Sequence, residues 1–209
     1  GYALAGEAEP QELEETEGEL HFDFELPGST HNFRTSDPFF LTLKHSTAQA
    51  AQGTGSLEIL VDRMVRGNRA RAYYKPFYTR ADFSDERYKP VFSPQVYSGQ
   101  TMEMQLYFDQ WAGWDSIFVS PYFRTVSDQK IHTHGFIKIK PGQWQTISCT
   151  IEDTQGDMID EVGIVVEGDT PTTVKTLGKL YLDEFRVFGK ADYSIDLCKQ
   201  KKELATVTP

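Results

Sequence analysis

The 209-residue sequence predicts an all-β protein, a two-sheet antiparallel β-sandwich of jelly-roll type, on three observations. Apolar residues recur at every second position in several runs, as in Leu57, Ile59 and Val61 and again in Met102, Met104, Leu106 and Phe108. Turn chemistry punctuates those runs: Pro27-Gly28, Ser98-Gly99, Pro141-Gly142 and Gln155-Gly156-Asp157. Helix-period patterns are nearly absent. Many short strands separated in this way close into a sandwich or barrel, and about ten of them suit one domain of this length.

Taken in order, the candidate strands are residues 20–26, 39–45, 56–62, 71–77, 101–109, 116–124, 130–140, 144–151, 160–166 and 179–188. A glutamate-rich helix is possible at residues 11–18, with nothing apolar to anchor it, and residues 48–54 read as a helical turn or a loop. Residues 78–99 carry no sustained period, and Pro90 and Pro94 exclude a central strand there. The aromatics Phe83, Tyr88, Phe92 and Tyr97 make that stretch a packed loop. Cys149 shares parity with Ile147 and Ile151, as a small core residue does, whereas Cys198 lies in a polar tail, so no disulfide is expected. Trp144, just after a turn, is assigned to the core.

The net charge is −10, but seven glutamates crowd the first 20 residues without a single Lys or Arg, leaving −3 for the rest. Residues 1–18 therefore read as a solvated acidic linker or arm, residues 19–190 as the module, and residues 191–209 as a polar tail or linker. No dominant basic field exists for nucleic acid. No run approaches the roughly 20 apolar residues of a membrane helix, so a membrane partner is not expected. There is no basic segment followed by an apolar one, so any signal peptide is missing or removed. Between Arg63 and Lys89 the chain is locally +5. Those charges either pair with the acidic remainder or form a patch for an anionic ligand such as a uronic acid or a phosphate.

The ordered set FDFE (residues 22–25), GSLEI (55–59), PGQW (141–144), IDEVGI (159–164) and LYLDEF (180–185) resembles the galactose-binding-type β-jelly-roll carbohydrate-binding modules over residues 20–189. DERYKPVFSPQVYSGQ (85–100) and ADYSIDL (191–197) are similar to sandwich domains appended to bacterial ADP-ribosylglycohydrolase-like and glycan-active proteins. The resemblance implies a non-catalytic module that binds a poly- or oligosaccharide, is covalently attached to a catalytic domain, and is monomeric, extracellular and bacterial. It also implies a structural calcium held by Asp183 with Glu25 or Asp23, completed by backbone oxygens near Thr54 and Gly55.

Candidate ligand-binding residues follow from residue type and parity. Sugar rings stack on Trp and Tyr, and Trp111 and Trp114 stand in the loop DQWAGWD, where burial is difficult for both. Phe118, Tyr122 and Arg124 share one face of their strand, and with Tyr107 they are expected to line one exposed sheet face; the alternative is a core covered by residues 78–99. His132 and His134 share a strand face and could bind a sugar or a transition metal, though Lys138 stands where a cupin carries its glutamate. The acid pairs Asp160/Glu161 and Asp183/Glu184 are adjacent on strands. Regular alternation sends each pair to opposite faces, which argues against paired-carboxylate catalysis. No nucleophile elbow, Walker loop or dinucleotide fingerprint is present. The expectation is therefore a binding module, with a structural spacer or a jelly-roll lyase or hydrolase using His132, His134, Tyr122 and Arg124 as alternatives.

Overall fold

The computed structural model describes residues 19–77, 95–112, 116–171 and 175–191. Its strands are β1 (Leu20–Phe22), β2 (Arg34–Thr35), β3 (Leu41–Ser46), β4 (Ser56–Asp62), β5 (Arg69–Tyr74), β6 (Thr101–Gln110), β7 (Ile117–Thr125), β8 (Ile131–Thr133), β9 (Ile137–Lys138), β10 (Gln145–Thr150), β11 (Ile159–Gly168) and β12 (Thr176–Phe188). The acidic arm at residues 1–18, the loop at 78–94, Trp114 and the tail at 192–209 with Cys198 lie outside the described residues.

The strands form two sheets. The first runs β10-β6-β12-β4-β3, with β1 pairing the end of β12; the second runs β2-β5-β11-β7-β8, with β9 also on β7. Every pairing between these strands is antiparallel. This is the all-β sandwich that the alternation predicts. One expected strand, 56–62, is reproduced to the residue, while the 130–140 run breaks into β8 and β9 around Gly135, whose φ is +86°. The two-residue β2 is too short to leave an alternation signal.

Alternation explains the core. On the first sheet Leu57, Ile59 and Val61, then Met102, Met104, Leu106 and Phe108, then Leu180, Leu182, Phe185 and Val187 are all buried inward. They meet Ala70, Ala72, Ile117, Val119, Phe123, Val162, Ile164 and Val166 of the second sheet. Each fully buried Leu, Ile or Val side chain contributes about 1.5–3 kcal/mol, so this interdigitated layer is the main source of stability. β12 is the central strand of the first sheet, with Leu182 opposite Leu57 on one side and Leu106 on the other.

Three register shifts interrupt this regularity, one of them between Thr176 and Gly178 where β12 pairs β4. In β12, Asp183 lies opposite Gln105 but Arg186 opposite Glu103, so the strand takes one extra residue where its partner advances two. Glu184 absorbs it at a φ of +47°, a conformation costly for a non-glycine residue. In β11, Ile159 faces Thr125 and Glu161 faces Arg124, so Asp160 is the extra residue. A bulge re-aims side chains locally.

Gly163 sits at the middle of β11 between Tyr122 and Tyr73. A Cβ added there would lie 2.1 Å from the Ala72 carbonyl oxygen and 2.7 Å from the Tyr73 Cα. Backbone cannot yield as a flexible side chain does. Gly163→Ala is therefore expected to destabilise the fold by about 1–3 kcal/mol, read as a lower midpoint in thermal or urea unfolding.

Candidate functional site

The outward face of the second sheet carries Phe118, Tyr122 and Arg124, as their parity requires. It is not the exposed platform expected of them. Tyr122 is fully buried, and its hydroxyl donates to Glu161 Oε1 at 2.7 Å. Burial, reinforced by the neighbouring Glu161 carboxylate, pushes the phenol well above its ordinary pKa. Arg124 is held on three sides. Its Nε and Nη2 donate to Asp160 at 2.9 and 2.8 Å, and its Nη1 lies 2.8 Å from Glu161. The Asp160 bonds are the main reason its pKa rises. Lys75 lies 3.6 Å from Asp160, and Arg71 lies 3.3 Å from Glu161. Buried charges are tolerated only when paired in this way.

The basic stretch is accounted for by similar pairs. Arg63 meets Asp62, Arg66 meets Asp169 and Arg69 meets Glu167, so its described cations face carboxylates rather than an open anion patch.

Tyr107 belongs elsewhere. It stands on β6, on the outward face of the first sheet, and so shares no face with Phe118, Tyr122 and Arg124. Its ring packs against Trp144 at 5.5 Å and against Tyr181 at 6.2 Å. Tyr181 is 2% exposed beside Glu58, and burial raises its pKa to about 12. Trp144 is half-buried on the same outward face rather than in the core. Together with Ala51, Gln52, Glu103, Gln105, Glu184 and Arg186 it lines a pocket of about 290 Å³. The β12 bulge places Glu184 there. Gln105 exchanges two hydrogen bonds with Thr146, and Arg186 donates to Glu19 Oε1 at 2.7 Å.

The carboxylates expected to hold calcium are already satisfied by N–H donors. Asp183 Oδ2 accepts from the Ala51 and Gln52 amides at 2.8 and 3.1 Å, and Oδ1 accepts from its neighbour Glu184 at 2.8 Å. Burial nevertheless lifts Asp183 to about 6. Glu25 takes the Thr54 and Gly55 amides and the Thr54 hydroxyl, each at 3.0 Å, and those amides hold its pKa below the usual value. Asp23 accepts from the Glu25 amide at 3.1 Å. Calcium requires six to eight oxygen donors with free lone pairs. Here nitrogen donors of the 51–55 loop occupy the expected position, and no group of three His, Cys, Asp or Glu suited to a metal forms among the described residues. These residues do not fit a calcium ion as arranged.

The two histidines turn toward the sandwich edge. His132 stacks on Phe123 at 4.6 Å, and Nε2 lies 3.0 Å from Thr125 Oγ1. That hydroxyl donates to Asp128, so His132 donates to it from an Nε2–H. His134 lies 5.8 Å from the same Phe123 ring, with its Nε2 3.7 Å from Glu152. The lyase or hydrolase constellation of His132, His134, Tyr122 and Arg124 is therefore not assembled around one cleft. Trp111 is 58% exposed at the end of β6, as its loop position suggests, but lies outside the pocket lining.

No family model matches the chain, and no curated protein sequence matches it. Solved structures do. The C-terminal family 22 carbohydrate-binding module of Clostridium thermocellum Xyn10B superposes with a TM-score of 0.54 at 16% identity, over 82% of this chain and 92% of that one. The fold is a two-sheet antiparallel β-sandwich like that of this module. The CBM22-2 xylan-binding domain of Paenibacillus barcinonensis Xyn10C gives a TM-score of 0.54 at 14% identity, over 82% of this chain and 99% of that one. A C. thermocellum Xyn10B structure containing CBM22-1 and GH10 modules with xylohexaose gives 0.52 at 10% identity, over 81% of this chain and 28% of that longer one.

Two outcomes follow from this chemistry. A chelator is expected to leave the thermal midpoint unchanged; a midpoint raised by added calcium would reveal an oxygen donor set absent from this arrangement. His132 provides the pH dependence. Burial, with Lys130 nearby, lowers its pKa in the folded protein below 6.5. The unfolded chain thus takes up the proton first, so His132's contribution is complete above 6.5 and is lost as pH falls through the folded value. Between pH 7.5 and 5 the wild type should lose more stability than His132→Phe in thermal melts.

Proposed function

We propose that this chain is a non-catalytic carbohydrate-binding module that holds a poly- or oligosaccharide on the outward face of its first sheet. The observation carrying this reading is the half-buried Trp144–Tyr107 pair beside the 290 Å³ pocket. An aromatic wall offers a flat apolar surface to the C–H face of a sugar ring, while Gln52, Glu103 and Glu184 offer polar partners to its substituents. The likeness to modules described as xylan-binding supports the same reading through the fold. The structure that carries CBM22-1 with GH10 supports a tether to a catalytic domain, which raises the local concentration of that domain at the glycan. In this reading the module is an extracellular, bacterial, monomeric unit. The outward face of the second sheet, with Tyr122 and Arg124 engaged by Glu161 and Asp160, is structural.

The test is isothermal titration of the chain with a panel of soluble β-glycans, beginning with xylan oligosaccharides. Trp144→Ala should weaken binding by about thirtyfold, corresponding to the roughly 2 kcal/mol typical of a central aromatic contact, and Tyr107→Ala should weaken it less. Trp111→Ala should leave it unchanged. Binding insensitive to Trp144 would remove the proposed site.

A further inference from the structure

The pocket beside Trp144 has a charge asymmetry that selects among glycans. Three ionic groups line it: Glu103, Glu184 and Arg186. The cation is engaged elsewhere. Arg186 lies opposite Glu103 in the β6–β12 register, yet its guanidinium turns to Glu19, with Nε at 2.7 Å and Nη2 at 2.6 Å, and lies 4.7 Å from the Phe188 ring centre. Glu184 meets His21. Glu103 has neither an ion pair nor a hydrogen bond from its side chain among the described residues. Its carboxylate can only accept, and among the described residues no cation pairs with it.

The neutral groups sharpen the selection. The Gln105 side chain donates to Thr146 Oγ1 at 2.8 Å and accepts from it at 3.0 Å, which fixes the amide and leaves it one N–H and one oxygen lone pair. Ala51 and Gln52 have their backbone amides fixed on Asp183. The pocket therefore offers an aromatic wall and a carboxylate that no described cation pairs with. A uronic acid would bring a second anion beside Glu103 and is disfavoured. A ligand presenting a cationic donor next to a pyranose ring satisfies both features.

We propose that this pocket takes an amino sugar with a free, protonated amine, Trp144 stacking against the ring and the Glu103 carboxylate accepting from the ammonium group. This rests on the glycan-binding reading above and specifies its substrate class. A charge-assisted hydrogen bond of this kind is stronger than a neutral one.

The experiment titrates the full chain with three tetrasaccharides: fully deacetylated chitotetraose, its N-acetylated counterpart and xylotetraose. All are measured at low salt and at a pH that keeps the free amine protonated. The deacetylated ligand is expected to bind about tenfold more tightly than the other two, the factor that a hydrogen bond to a charged group supplies. Glu103→Gln, which keeps the side-chain shape, should bring the three ligands within about twofold of one another. Raised salt should narrow the gap in the wild type. Trp144→Ala should weaken all three, and an unchanged melting curve for each variant confirms an intact fold. Equal affinity for the three ligands, all sensitive to Trp144, would overturn the amino-sugar inference and leave the glycan-binding reading standing. A preference that persists in Glu103→Gln would overturn the assigned role of Glu103. Binding of free lysine as tight as that of deacetylated chitotetraose would show a general ammonium site and overturn the sugar assignment. Failure of all three oligosaccharides to bind would overturn both readings.

Discussion

Between Asp183 and Arg186 the central strand of the first sheet takes one residue more than its neighbour β6, and the outward face of that sheet is organised around this step. Without it, alternation would send Asp183 and Glu184 to opposite sides. With it, Asp183 faces the 51–52 segment and holds it by two amides, while Glu184 enters the pocket that the same segment borders. Arg186 is also advanced, and reaches Glu19 rather than Glu103. The core is unaffected because Leu182, Phe185 and Val187 all remain inward. The strained φ of Glu184 is thus offset by burial on one face, and the other face gains a concave site with an unpaired acid.

The second sheet uses the same device to the opposite end. Its bulge at Asp160 brings that carboxylate and Glu161 onto a single guanidinium, that of Arg124, and Arg71, Lys75 and Tyr122 complete the network. There every charge has a partner and the groups are largely withdrawn from water. Removing Arg124 would take the shared cation from both buried carboxylates, a loss of about 3–5 kcal/mol. A saturated ion cluster stabilises but has nothing left to offer a ligand. This difference in saturation, rather than in residue type, distinguishes the structural face from the binding face.

Much of the architecture was legible in the sequence because one physical rule governs it. Wherever one face of a strand is buried, side chains alternate, and β4, β6 and β12 were readable for that reason. The same rule carried information that local context obscured. Ile147 and Cys149 point inward, so Trp144 has outward parity, yet its place beside a turn suggested the core. Parity also places Tyr107 away from Met104 and Leu106, but parity cannot say which of two sheets a strand joins, and Tyr107 and Tyr122 lie in different sheets. The bulges were illegible. Nothing in DEV or LDEF announces an inserted residue, since the extra φ/ψ change is fixed by pairing with distant strands. The argument that adjacent acids must diverge therefore fails at both pairs.

The N–H-gripped carboxylates Asp183 and Glu25 link the first strand, the 51–55 loop and the last strand, the junction at which the sequence resemblance implied calcium. Backbone amides perform that tethering here, and they set one wall of the pocket. The proposed glycan position follows: the outward face of the first sheet, between Trp144 and the 51–52 segment. The most direct test is amide and indole NMR shift mapping during titration with an oligosaccharide that binds. Shifts concentrated at Trp144, Gln52, Glu103 and Gln105 are the predicted result. Shifts confined to Trp111 and its loop, or to Tyr122 and Arg124 on the second sheet, would contradict it.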